Sequence, residues 1–360
     1  MAHNLAQARV RAGARGIWAV VKANAYGHGI ENAVQAFSDA DGLALLETDE
    51  AQRARAAGWR KPILLLEGVF EHRDFALVEE LDLTVVVHGF EQIAMLERLR
   101  PARPVGVYCK FDTGMNRLGF AADEARAAFD RLAALAHVRI EALMTHLANA
   151  DRRDASASGD AAAPSVTSQW QALRARIPEW NGAWSVSNSA ALFLHPADEV
   201  PAGAEFVRPG IALYGASPVA GIAAAALGLR PAMRLRSRLL VVRDLAPGQP
   251  VGYGSRWTAQ RPSRIGIVAC GYADGYPRSA PDGTPVWVEG AAGGARVPLV
   301  GRVSMDMIAV DLTDVPSAAC GDAVELWGAQ IGVDEVAERA GTIGYELLSG
   351  LPARARERPE

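Results

Sequence analysis

The chain has 360 residues, half of them hydrophobic and 22% charged, with a formal net charge of -4. That composition excludes extended disorder, and the charge leaves no basic surplus for nucleic acid and no polybasic patch for a membrane surface. The three cysteines, Cys109, Cys270 and Cys320, lie far apart, which excludes a disulfide framework and a CxxC metal site and makes a reducing cytoplasm the expected compartment.

The first residues lack the apolar segment of a secretory signal, and no apolar run is long enough to span a membrane. From there to about residue 226, short apolar runs alternate with helix-like segments. Strands are expected at 18–21, 42–46, 63–66, 84–87, 105–110, 140–144, 185–186 and 206–214. Each is short and apolar, as a strand buried on both faces should be. Helical spacing appears at 49–57, 91–99 and 123–136, with Asp123 as a plausible N-cap. Eight such units fit a TIM-type (β/α)8 barrel over residues 1–226, with a doubly wound open sheet as the alternative on pattern alone. The polar segment 151–168 reads as a surface loop.

An Ala/Gly-rich run at 220–229 marks a boundary. Beyond it, strand candidates at 233–244, 264–269, 285–289, 296–300, 307–311 and 323–327 are separated by Gly, Pro and Asp turns. That spacing predicts a mainly antiparallel β domain over 227–360. A single short helix is expected at 331–340.

Several strings carry chemistry. Val20-Val21-Lys22-Ala23-Asn24-Ala25-Tyr26-Gly27-His28-Gly29 places a lysine at the end of the first strand. A lysine there is ordinarily a solvated surface residue. At a barrel mouth, desolvation would lower its pKa and free the amine for Schiff-base chemistry. Lys110-Phe111-Asp112-Thr113-Gly114-Met115-Asn116-Arg117 follows the fifth strand. Its plain reading is a strand-end turn, but Arg117 could clamp a carboxylate. His146 follows the sixth strand; a lone histidine there is more often structural than catalytic. Ser187-Asn188-Ser189 reads as a helix cap, and the same position can bind phosphate. Arg208-Pro209-Gly210-Ile211 follows the eighth strand, where Gly210 would let backbone amides approach a phosphate. In the β domain, Cys270-Gly271-Tyr272-Ala273-Asp274-Gly275-Tyr276 sets two tyrosines around a turn. Gly301-Arg302-Val303-Ser304-Met305-Asp306-Met307 and Gly344-Tyr345-Glu346 are weak signals alone.

Together, at least seven of these strings match, in order, the motifs of the alanine racemases, so the chain resembles that family over nearly its whole length. The resemblance implies a homodimeric enzyme interconverting L- and D-alanine by two-base proton transfer at Cα through a pyridoxal 5'-phosphate aldimine, with no metal. Lys22 would carry the cofactor and act as one base. Tyr272 of the other subunit would be the second base, so the active sites would be shared. His146, hydrogen-bonded toward Tyr272 and Arg208, would help Tyr272 act as a base, Arg208 would face the pyridine nitrogen, and Lys110, often carbamylated in the family, would orient Arg117. Tyr26, Ser189, Gly210, Ile211 and Tyr345 would hold the phosphate. Arg117 and Met305 would bind the substrate carboxylate. The product would supply peptidoglycan, or D-alanine would be catabolised.

Relatives usually begin with a further strand before the counterpart of His3-Asn4-Leu5. Ser349 stands where many carry Cys, and Phe111 where many carry Val. Rival readings are a broad-specificity amino-acid racemase or a basic-amino-acid decarboxylase on the same scaffold, a non-catalytic pyridoxal-phosphate-binding protein, and a plain interaction module, which leaves the aligned mouth residues unexplained. The tyrosine motif argues against the decarboxylase, and the entire segment after residue 230 argues against the binding protein.

Overall fold

The computed structural model describes residues 1–153, 163–195, 205–290 and 293–355. The chain forms two compact units. The first comprises Met1–Leu213 with Ser217–Ile222 and Ala226–Leu229; the second takes Tyr214–Ala216, Ala223–Ala225 and the chain from Arg230 on.

The first unit is a TIM-type barrel. Its strands are β1 (Gly16–Val20), β2 (Gly42–Leu45), β3 (Ile63–Leu65), β4 (Leu83–Val87), β5 (Val105–Lys110), β6 (Val138–Met144), β7 (Ala183–Ser185) and β8 (Phe206–Val207). They hydrogen-bond in the order β7-β6-β5-β4-β3-β2-β1-β8. Isolated parallel bridges, Trp184 to Glu205 and Asn188 to Arg208, close the ring. β2, β3 and β5 are buried at every position, which is why their apolar runs are continuous rather than alternating. Leu43, Leu45 and Ile63 are fully buried; truncating one to alanine would cost about 2–5 kcal/mol. A side chain at Gly42 would lie 2.0 Å from the Trp18 ring, so glycine there makes room for the indole.

Three expectations change here. The run at 206–214 is not one strand: β8 stops at Val207 and a 3-10 turn spans Ile211–Tyr214. Pro209 lacks the N–H that a longer strand would need. The helix expected from Asp123 is Ala125–Ala133, preceded by Glu124, whose carboxylate accepts from the Ala121 N–H at 2.8 Å. An unanticipated helix, Ala2–Ala12, buries Leu5, Ala8 and Ala12 at helical spacing. Residues 154–162 of the expected 151–168 loop lie outside the described residues. The next helix, Val166–Arg176, is capped by the Ser165 hydroxyl, which accepts from the Ser168 N–H at 3.0 Å.

The second unit is a mainly antiparallel β domain. Its strands are β9 (Leu235–Leu245), β10 (Pro250–Val251), β11 (Trp257–Thr258), β12 (Ser263–Val268), β13 (Pro285–Gly290), β14 (Gly293–Val300), β15 (Ile308–Asp311) and β16 (Ala323–Trp327). Six of them form a closed barrel in the order β12-β15-β14-β13-β16-β9, and β10 pairs with β11. Closure leaves the barrel no free edge. The single helix expected near the end is two. Val333–Ala340 stops at Gly341, which is left-handed at φ 73°, and Gly344–Ser349 follows.

Candidate active site

In the barrel unit, the site residues gather at the carboxyl ends of the strands. Lys22 lies two residues beyond β1. The backbone then makes a turn that the sequence does not announce. Ala23, Asn24, Ala25 and Tyr26 all adopt left-handed conformations, with φ of 54°, 52°, 55° and 51°. For residues with a Cβ this costs about 1–2 kcal/mol each. Such strain persists only where surrounding contacts hold it. The Ala25 N–H donates to the Val21 carbonyl at 2.7 Å and the Gly29 N–H to the Asn24 carbonyl at 2.9 Å. The Asn24 N–H donates to the Glu50 carboxylate at 2.6 Å. The Asn24 side-chain oxygen accepts from the Ile30 N–H at 3.3 Å and from Arg53 at 2.9 Å.

Cations surround this turn. Burial lowers the pKa of Lys22, the Arg117 charge lowers it further, and Glu67 opposes both. Lys110, the last residue of β5, is 5% exposed. Burial, then Arg208 and Arg117, bring its pKa down to about 8, against the pull of Glu67 and Asp112. His146 follows β6. Burial, then the charges of Arg208, Lys110, Arg117 and Lys22, hold its pKa well below the usual imidazole value, so the ring is neutral. Arg117 is exposed on the turn after β5, where the Asp112 carboxylate accepts from the Gly114 and Met115 N–H groups at 2.8 and 3.0 Å.

Arg208 follows β8 and is buried. It donates to the Ser185 hydroxyl at 2.6 Å, the Thr145 carbonyl at 2.8 Å and the Val186 carbonyl at 3.3 Å. It therefore grips the backbone before His146, and charge rather than a ring hydrogen bond couples it to the imidazole. Burial lowers the Arg208 pKa to about 10, leaving it charged at neutral pH. Beneath it, the Glu205 carboxylate accepts from the Val186 and Ser187 N–H groups at 3.2 and 2.7 Å and pairs with buried Arg15 at 2.9 Å.

A cradle adjoins these groups. The Ser189 hydroxyl accepts from the Gly210 N–H at 2.7 Å. A Cβ at Gly210 would lie 2.5 Å from the Tyr26 hydroxyl oxygen, so only glycine fits. Ile211 is fully buried next to it. The Ser187 hydroxyl, also buried, has no hydrogen-bond partner among the described residues.

In the second unit, the Tyr272–Asp274 turn follows β12. The Tyr272 N–H donates to the Ser304 carbonyl at 3.0 Å and the Ala273 N–H to the Met305 carbonyl at 2.9 Å. Tyr272 and Met305 are thus neighbours, 38% and 53% exposed. Arg354 fixes both strings, donating to Asp274 at 2.8 Å and Asp306 at 2.7 Å. Of the two tyrosines in the motif, only Tyr272 is displayed. Tyr276 is 1% exposed and stacks on Trp327. Tyr345 stands on the helix Gly344–Ser349, partly exposed.

The barrel residues fit an anionic aldehyde with a phosphate tail. A desolvated lysine can form a Schiff base, the buried Ser187 hydroxyl, without a partner among the described residues, can donate to an oxyanion, and the cations balance the charge. A separate cavity of about 380 Å³ is lined by Trp18, Thr84, Tyr108, Glu141 and Phe206 toward the amino-terminal strand ends, and no candidate site residue lines it. Sequence reasoning missed Glu50, Glu67, Ser185 and Glu205. Each is a carboxylate or hydroxyl whose partner is remote in sequence. Among the described residues, no group of histidine, cysteine and carboxylate side chains could hold a metal, and no helix is long and apolar enough to cross a membrane.

Residues 1–218 match the family described as alanine racemase, N-terminal domain, and residues 232–358 that described as alanine racemase, C-terminal domain. The alanine racemase of Ralstonia nicotianae is 49% identical over 360 residues, covering 98% of this chain and 91% of its own. That of Bordetella petrii is 52% identical over 345 residues, covering 94% and 88%. Among solved structures, the biosynthetic alanine racemase from Pseudomonas aeruginosa has a TM-score of 0.89 at 47% identity, covering 98% of this chain and 94% of that one. The alanine racemase from Bartonella henselae with covalently bound pyridoxal phosphate has a TM-score of 0.82 at 26% identity, covering 98% and 95%. With both domains matched in order and relatives this similar along almost the entire chain, the protein belongs to the alanine racemases, a family of pyridoxal-phosphate-dependent isomerases.

Proposed function

We propose that this chain interconverts L- and D-alanine, working as a cytoplasmic homodimer whose D-alanine feeds peptidoglycan synthesis. The observation that carries the reading is Lys22: a desolvated amine at the end of β1, among cations, on a strained turn. Lys22 would hold pyridoxal 5'-phosphate covalently. Tyr26, Ser189, Gly210, Ile211 and Tyr345 would hold its phosphate. When bound, the cofactor supplies an electron sink for the charge left on the substrate Cα.

The chain's own groups do the rest. Arg117 and the backbone of the partner subunit's Met305, which neighbours Tyr272 in its own chain, would hold the substrate carboxylate, which fixes Cα between two bases. Lys22, its pKa lowered by burial and by Arg117, would take or return the Cα proton on one face. The partner subunit's Tyr272 would serve the opposite face. A phenol ordinarily titrates near 10, so it needs a neighbour's help to act as a base. His146 is kept neutral, so its ring would accept a hydrogen bond from that phenol, while burial and the surrounding cations oppose its taking the proton outright. A charged guanidinium has no lone pair. Arg208 facing the ring nitrogen would therefore leave that nitrogen unprotonated and moderate the sink. Lys110, buried with a lowered pKa, would orient Arg117 and offers the neutral amine that carbamylation needs.

The test is a chiral assay of the purified protein with L- and D-alanine, with serine as a check on breadth, alongside borohydride trapping. Both enantiomers should converge on an equal mixture, and the trapped adduct should map to Lys22. An adduct on another lysine, or carbon dioxide release in place of inversion, would overturn the reading.

A further inference from the structure

We infer that Glu50 is a positioning residue for the reaction: its carboxylate latches the left-handed turn that aims Lys22. The inference rests on the proposed role of Lys22.

Glu50 lies on the helix Thr48–Ala56, which follows β2. It is 6% exposed. One oxygen accepts from the Asn24 N–H at 2.6 Å, the short distance of a charge-assisted bond. The other oxygen is buried and has no hydrogen-bond partner among the described residues. A half-satisfied buried carboxylate is costly, and burial accordingly raises its pKa. What the acid does is hold one amide, and that amide belongs to the second of four consecutive left-handed residues.

The same helix grips Asn24 from its other end. Arg53, three residues after Glu50, donates to the Asn24 side-chain oxygen at 2.9 Å and is itself paired with Glu31. Asn24 is therefore clamped at its backbone and its side chain by one helix. Lys22 enters the turn and Tyr26 leaves it, with its hydroxyl against Gly210. Without the Glu50 latch, Ala23 and Asn24 would relax toward right-handed conformations, rotating the Cα–Cβ direction of Lys22 and withdrawing Tyr26. Other barrel side chains are not tied to this amide, so their placement should survive.

The test compares Glu50→Ala and Glu50→Gln with wild type. The first readout is hydrogen exchange across residues 20–30 in the cofactor-free protein. Glu50→Ala should speed exchange at Asn24 and its neighbours, while exchange in the strands stays slow. The second is the rate of covalent cofactor attachment at Lys22, trapped by borohydride. The third is the split of kinetic constants. Glu50→Ala should lower kcat roughly 10- to 100-fold, as misplacement of a reacting group does, with the KM for alanine little changed. Glu50→Gln keeps an oxygen that can accept from Asn24 and should recover most of the rate. Wild-type exchange, attachment and kcat in Glu50→Ala would overturn the inference. So would a general loss of protection in Glu50→Ala with normal kcat per folded molecule, which marks a stability role alone. If wild type itself fails to attach cofactor at Lys22, the proposed function falls, and the exchange arm still decides whether Glu50 holds the turn.

Discussion

Arg208 donates a 2.8 Å hydrogen bond to the carbonyl oxygen of Thr145, the residue before His146. One side chain thereby joins the ends of β8 and β6, and its hydrogen to the Ser185 hydroxyl adds β7. The guanidinium that would face the cofactor ring also fixes the backbone carrying the imidazole. Its charge is the second cause, after burial, that keeps His146 neutral.

Arg208→Glu tests the tuning role. A carboxyl group in that place can share a proton with the ring nitrogen and strengthen the electron sink. Racemisation should fall on the order of 100-fold, the scale of losing one group that acts on charge in the transition state. Transamination products, pyruvate and the aminated cofactor, should appear. The buried acid loses three hydrogen bonds and meets Glu205, so folding is checked first by circular dichroism. A folded variant with wild-type product ratios would count against the assignment.

Lys110 gives a pH prediction. Its pKa is about 8 in the folded chain against 10.5 in the unfolded one. Below about 8 both states carry the proton, and the cost of burying the charge, on the order of 3 kcal/mol, is present in full. Between about 8 and 10.5 the unfolded chain binds the proton and the folded chain does not. This group's contribution to stability therefore rises with pH across that window. Lys110→Met should flatten the rise in urea-melt stability and raise the stability at pH 7, while activity drops. A melt profile identical to wild type from pH 7 to 10 would contradict the lowered pKa. Intact mass at neutral pH, with and without bicarbonate, reads whether carbon dioxide is attached to this amine.

How far the sequence carried depends on where each residue finds its partner. β5 was legible to the residue because an apolar run buried on both faces has its own signature. The helix Ala2–Ala12 was not, because its buried residues, Asn4, Leu5, Ala8 and Ala12, include one large apolar side chain and give little contrast. The turn after Lys22 was hidden for a different reason. Ala-Asn-Ala-Tyr contains no glycine, so nothing local announces left-handed backbone, and the residue that holds it, Glu50, is 26 positions away. The candidate lysines and His146 were visible because strand ends can be counted, whereas Arg208 fell inside the strand expected at 206–214 and was singled out by its motif. Their electrostatics were not visible, since each shift comes first from burial in the fold and then from charges on other elements. Tyr272 and Tyr276 look equivalent in the motif, and only packing on Trp327 removes the second from the surface.

Gly210→Ala tests the cradle. The added methyl would lie 2.5 Å from the Tyr26 hydroxyl oxygen and 3.6 Å from Val20, so Tyr26 must move. The affinity for pyridoxal phosphate should weaken about tenfold or more, which is 1.4 kcal/mol. Tyr26→Phe removes the clashing oxygen together with a proposed phosphate contact, so in that background the further cost of Gly210→Ala should be smaller than in wild type. Fluorescence titration of the cofactor-free protein measures both. Unchanged affinity in Gly210→Ala would place the phosphate elsewhere.

The last prediction concerns the two bases. Lys22→Ala and Tyr272→Phe should each be nearly inactive, Tyr272→Phe by about 100- to 10 000-fold, the range for losing a general acid or base. If the second base is the partner subunit's Tyr272, each site in the dimer draws one base from each chain. Mixing the two variants and allowing subunits to exchange then creates mixed dimers in which one site carries both defects and the other carries none. With free exchange, roughly half the dimers are mixed and half their sites are intact, so activity should reach about a quarter of wild type per subunit. The partial exposure of Tyr272, on a turn held by Arg354, Ser304 and Met305, is what such a contribution requires. Native mass spectrometry verifies that mixed dimers have formed. If they have and activity stays at the level of the parents, both bases belong to one chain.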